Sequence, residues 1–105
     1  MGKSNFTLRY LPMYEEDLNE IVDYISIKLQ NPDSALKLID KIEKAIADRL
    51  FCPLSFEPFQ SMRKRENKYY RIYVDNYTVY YVVIKNVMEV RRVLYSKRDA
   101  TQIIE

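Results

Sequence analysis

The chain has 105 residues, 48% hydrophobic and 30% charged, the composition of one soluble globular domain spanning residues 1–105 and not of a disordered segment. Its net charge of +2 permits contact with nucleic acid without requiring it. The absence of histidine and the presence of a single cysteine, Cys52, exclude an internal disulfide and every metal site built on imidazole, so no metal or other cofactor is expected. Cys52 lies between Phe51 and Pro53 with no histidine to activate it, which predicts an inert packing role. No apolar stretch approaches the ~20 residues that span a bilayer. A reducing, cytoplasmic setting with no membrane partner follows.

Residues 5–11 read as a strand, because Phe6, Leu8 and Tyr10 alternate with Thr7 and Arg9 at the period of two that turns one face to a core. Pro12 ends it. Leu18, Ile21, Val22, Ile25 and Leu29 then recur at helical spacing, predicting a helix over 13–30 with Glu15, Glu16 and Asp17 in its opening turns. Three neighbouring acids on a helix point in different directions, so they are read as a charged helix start and not as a metal or sugar site. Asn31-Pro32-Asp33 breaks the helix and opens a second over 32–50, striped by Ala35, Leu38, Ile39, Ile42, Ala45, Ile46 and Leu50.

Residues 51–60 hold Pro53 and Pro58 and no regular period, the pattern of an irregular crossover with aromatic anchors. Three runs rich in Tyr, Val and Ile follow at 69–74, 78–84 and 89–95, a meander of hairpin strands. The only glycine is Gly2, so Asn76 and Asn86 are assigned the positive φ of the two turns. Residues 96–104 read as a short C-terminal helix with Ser96 as N-cap. The expected fold is α+β: an N-terminal strand, then a two-helix hairpin packed on one face of a C-terminal antiparallel sheet, the other face left open for a partner or ligand.

Familiar catalytic patterns are missing: no Gly-rich phosphate loop, no histidine for a triad, no cysteine pair for zinc. What stands out is a basic and aromatic constellation in the second half. Arg63, Lys64, Arg65 and Lys68 precede Arg71; Arg91, Arg92, Lys97 and Arg98 follow; seven of the ten tyrosines share the region. Cations interleaved with aromatic faces are what phosphates and unstacked RNA bases require, although tyrosine is also an ordinary strand residue. Alternation puts Tyr69, Arg71 and Tyr73 on one strand face and Tyr70, Ile72 and Val74 on the other. An arginine in mid-strand needs an anion, and the plain alternative is an ion pair to an acid such as Glu89.

Taken together, Asp17-Leu18, Ile21, Tyr24-Ile25, Asn31-Pro32, Ala35, Leu50, Pro53, Tyr70-Arg71-Ile72, Tyr80-Tyr81 and the run from Val93 through Tyr95 to Arg98-Asp99 resemble the RelE/ParE toxin superfamily over nearly the whole chain. The resemblance implies the toxin of a type II toxin-antitoxin (plasmid stabilisation) pair, neutralised by a cognate antitoxin protein. RelE-like members cleave mRNA on the ribosome, and ParE-like members poison DNA gyrase without being nucleases. The RelE-like reading, a metal-independent endoribonuclease acting on ribosome and mRNA, is the first expectation and the gyrase reading the alternative. By resemblance, Arg71, Arg98, Arg63 and Arg65 hold phosphate oxygens, and the basic and aromatic constellation adds Lys64, Lys68, Tyr69, Tyr73 and Lys97, with Arg63, as the RNA-binding surround. RelE-like chains commonly carry a tyrosine or histidine near the C-terminus. Here none follows Tyr95, which becomes the expected proton donor although a phenol is a poor base at neutral pH unless nearby arginines lower its pKa. The nuclease reading therefore requires Arg71, Arg98, Arg65 and Tyr95 to meet in one hollow.

Overall fold

The structure, a computed structural model, describes residues 5–59, 67–98 and 100. It contains β1 (Thr7–Tyr10), α1 (Pro12–Asp23), a π-helical turn (Tyr24–Lys28) that continues α1, α2 (Pro32–Arg49), β2 (Tyr70–Val74), β3 (Tyr77–Ile84) and β4 (Val87–Tyr95). The first helix thus runs as expected but widens in its last turn. It stops where Gln30 takes a left-handed conformation, φ 51°. The Asn31 side chain then accepts the Ser34 N–H at 3.2 Å and caps α2, with Pro32 in the first turn where no N–H is needed.

The sheet order is β1-β4-β3-β2, and β2, β3 and β4 form the expected antiparallel meander. The N-terminal strand, whose direction the sequence left open, joins this sheet parallel to β4, with Thr7 opposite Val87 and Tyr10 opposite Val90. Positive φ falls on Asp75 (52°) and Lys85 (57°), one residue ahead of the asparagines assigned to that role. Positive φ at the first loop position alone is the pattern of a type II′ hairpin turn. Asn76 contributes differently: its carbonyl accepts the Ser96 N–H at 2.8 Å, tying the turn to the end of β4. The C-terminal helix expected over 96–104 has no counterpart at 96–98, which form a turn and bend, and the remainder falls outside the described residues apart from Ala100.

One sheet face carries the main core. Ile42 and Ile46 of α2 are fully buried against Val79 and Tyr81 of β3 and Met88 and Val90 of β4, with Tyr70, Ile72 and Val74 completing the layer. Each such side chain contributes roughly 1.5–3 kcal/mol relative to exposure. The opposite face is not left open. Tyr69, Tyr80, Val82, Leu94 and Ala100 form a second buried cluster there, with Phe59 and Ile84 packed against it. Cys52 is exposed, so the packing role expected for it does not hold.

Two carboxylates fasten β4 to its surroundings. Asp17, 6% exposed, accepts Arg92 Nε at 2.7 Å and Nη2 at 2.8 Å, and also the Val93 N–H at 3.2 Å. It belonged to the acids read as a charged helix start; instead it faces inward and grips the edge of β4 just beyond the point where β1 stops. Glu89 accepts Arg9 from β1 (2.6 Å) and Arg91 (2.8 Å). Burial raises the Glu89 carboxyl, but hydrogen bonds from Arg9 and Arg91 outweigh it and hold the group below its ordinary value.

Breaking a buried ion pair on one side strands the other charge. Asp17→Asn should cost about 3 kcal/mol in urea unfolding, and Asp17→Leu with Arg92→Met should recover most of the loss. A cost for Asp17→Asn within about 0.5 kcal/mol would contradict the structure. Because the folded pKa of Glu89 is depressed, its contribution is present above the unfolded value of about 4.5 and is lost as pH falls through the lower folded value. Stability measured against pH should therefore fall less steeply for Glu89→Gln than for the parent between roughly pH 5 and pH 3, and parallel curves would refute this role.

Candidate functional site

The expected site residues divide between the two sheet faces. Arg71, in the middle of β2, lies with Tyr73 on the face away from the helices, its guanidinium 4.9 Å from the centre of the Phe59 ring and 5.7 Å from that of Tyr73. The ion pair to Glu89 is not formed, because that carboxylate already holds Arg9 and Arg91. Among the described residues Arg71 meets no carboxylate. Burial pushes the neighbouring Tyr80 phenol up, and Arg71 offsets only part of that rise, so Tyr80 stays protonated. Tyr69 is buried, and its hydroxyl accepts Arg91 Nη1 at 3.1 Å, which makes it part of the packing on this face. Tyr73, 64% exposed, and Lys68 remain available to a partner. Arg63, Lys64 and Arg65 lie outside the described residues.

Tyr95 sits on the helix side of the sheet. It ends β4 opposite Tyr77, the two rings meeting edge to face at 5.9 Å. The reason is a β-bulge: Tyr80 pairs with Arg92 and Tyr81 with Val90, so Arg91 is an extra residue and the alternation of β4 shifts phase. Val93 consequently joins the main core and Leu94 the second cluster. Arg98 donates its backbone N–H to the Tyr95 carbonyl at 2.9 Å, and both side chains line a cavity of about 600 Å³ that also reaches Tyr24 and Glu20 on the first helix. Lys97 is exposed in the turn beside them. The structure brings Tyr95 and Arg98 together and separates both from Arg71.

Arg49 was not singled out by sequence. Its Nη1 donates to the Arg71 carbonyl (3.1 Å) and to the Tyr81 hydroxyl (2.9 Å), and its guanidinium lies 3.5 Å from the centre of the Phe56 ring. The Tyr81 hydroxyl in turn donates to the Pro53 carbonyl at 2.7 Å. Arg49 thereby pins the start of the crossover after α2, at Pro53 and Phe56, over the sheet edge. The legible signal was spacing: position 49 continues the buried stripe of Ile42 and Ile46 with a cation.

Similarity to known proteins agrees with this fold. The sequence model of the family described as "ParE toxin of type II toxin-antitoxin system, parDE" matches residues 8–100. No curated protein matches the chain by sequence. Among solved structures, the chromosomal ParDE TA system from P. aeruginosa superimposes with a TM-score of 0.71 at 15% identity, covering 88% of this chain and 97% of that one. The RelB-RelE antitoxin-toxin complex from Methanococcus jannaschii gives a TM-score of 0.47 at 21% identity, covering 85% and 91%. The first structural likeness concerns the fold alone. The family match, running from β1 through the end of the sheet, is what establishes kinship, and the chain belongs to the ParE toxin family of type II toxin-antitoxin systems.

Proposed function

We propose that this toxin inhibits growth by binding and blocking DNA gyrase, and that a cognate antitoxin holds it in check. The mRNA-cleaving alternative, favoured on sequence, takes second place. RNA cleavage needs a base, an acid and charge-stabilising cations within hydrogen-bond reach of one phosphate. Arg71 and the Tyr95–Arg98 pair lie on opposite faces of the sheet, and that separation is the observation that carries the reading. Membership of the ParE family points the same way. A protein-binding poison needs no converging catalytic groups, only a surface. Arg71 and Tyr73 supply cationic and aromatic contacts on one face, with Lys68 exposed just ahead of β2, of the kind that anchors protein interfaces and suits an acidic antitoxin segment.

Purified toxin should stop gyrase-catalysed supercoiling of relaxed plasmid, and stoichiometric antitoxin should restore it. The same preparation should leave a cell-free translation reaction running, with mRNA intact by primer extension. Cleavage within codons on the ribosome, with supercoiling unaffected, would reverse the assignment.

A further inference from the structure

We propose that the cavity between the first helix and the β3–β4 end of the sheet is a binding site for an organic cation, an alkyl-guanidinium or alkyl-ammonium group. Its volume of about 600 Å³ is in the range of small-ligand sites. Three phenol side chains border it: Tyr24 from the π-helical turn, and Tyr77 and Tyr95 from paired positions of β3 and β4. Aromatic rings gathered around one space attract a cation through their negative faces. Burial, followed by the nearby Tyr24 and Tyr95 hydroxyls, raises the Tyr77 pKa, so this ring stays neutral. Ile21 and Val93 supply an apolar floor.

Charge selects the ligand. Asp17 also borders the cavity, but its carboxylate is already matched by Arg92. Glu20 stands in the same wall and forms no direct ion pair among the described residues, feeling Arg92 only through space, so its carboxylate can still meet a ligand. The carbonyl end of the first helix, at Leu29, adds partial negative charge at the border. Arg98 opposes a cation, and it stands exposed at the rim of the cavity. The π-helical turn that places Tyr24 is the kind of helix distortion that recurs at functional sites. This site is independent of which macromolecule the toxin blocks.

Agmatine, an alkyl-guanidinium, titrated into the purified chain should shift the NMR signals of Tyr24, Tyr77 and Tyr95. Glu20→Gln should weaken binding about fivefold, and Arg98→Ala should tighten it by a similar factor. Both residues are exposed, and an unchanged melting temperature confirms that each variant folds. A Gly-Arg-Gly peptide with blocked ends separates the sources. Binding at least about tenfold tighter than agmatine assigns the cation to a partner's side chain, and equal affinity assigns it to a free small molecule; either supports the site. Inorganic phosphate binding more tightly than agmatine and losing affinity in Arg98→Ala would overturn the proposal, as would agmatine leaving the three tyrosines unmoved.

Discussion

The carboxylate of Asp17 is the constraint on which the rest of the arrangement turns. β1 accompanies β4 only as far as Val90, and beyond that point the edge of β4 would be left with an unpaired Val93 N–H and an unmatched Arg92 guanidinium. One aspartate satisfies both, taking the fork of Arg92 and the backbone N–H together. Because Asp17 sits in the middle of α1, the same contact sets the distance of the helix from the sheet and hence the opening of the cavity beside it. Such a pair gives modest net stability compared with apolar replacements, but it penalises any packing that separates its members.

A second consequence concerns chemistry. A sheet with helices on one side and a smaller cluster on the other assigns each strand residue to one of two environments. Arg71, anchored between Phe59 and Tyr73, belongs to the face stiffened by the Arg9–Glu89–Arg91–Tyr69 chain. Tyr95 and Arg98 belong to the helix side. The first helix exposes Glu15, Glu16, Glu20 and Asp23, the second exposes Lys37, Lys41 and Lys44, and the far face of the sheet carries Arg9, Arg71 and Arg91. Such a molecule offers different partners different sides, which suits a toxin that must be recognised by both an inhibitor and a target.

Much of this was legible in the sequence, and the exceptions have physical causes. Local periodicity sufficed for the helical hairpin, its Asn31-Pro32 junction and the three hairpin strands, since each depends on neighbours a few residues apart. The parallel seating of β1 depends on contacts 80 residues away, as in Arg9 with Glu89, which no local pattern encodes. The phase shift of β4 was hidden for a related reason. Unbroken alternation from Glu89 places Tyr95 on the Glu89 side, the face that carries Arg71, and only the bulge at Arg91 moves it across. Asp17 was passed over because its neighbours Glu15 and Glu16 are ordinary exposed helix acids. Adjacency in sequence concealed that it alone continues the inward stripe from Tyr14.

Residues that act as one catalytic unit lose function together, whereas residues at separate contacts lose it independently. A double-mutant cycle on Arg71→Ala and Tyr95→Phe, read as growth-inhibitory potency normalised to folded protein, addresses that difference most directly. Effects that multiply, leaving a coupling within about 0.5 kcal/mol of zero, are what residues on opposite faces require. If either substitution alone abolishes as much activity as the two combined, they share one site and the division of the molecule into two faces fails as an account of its function.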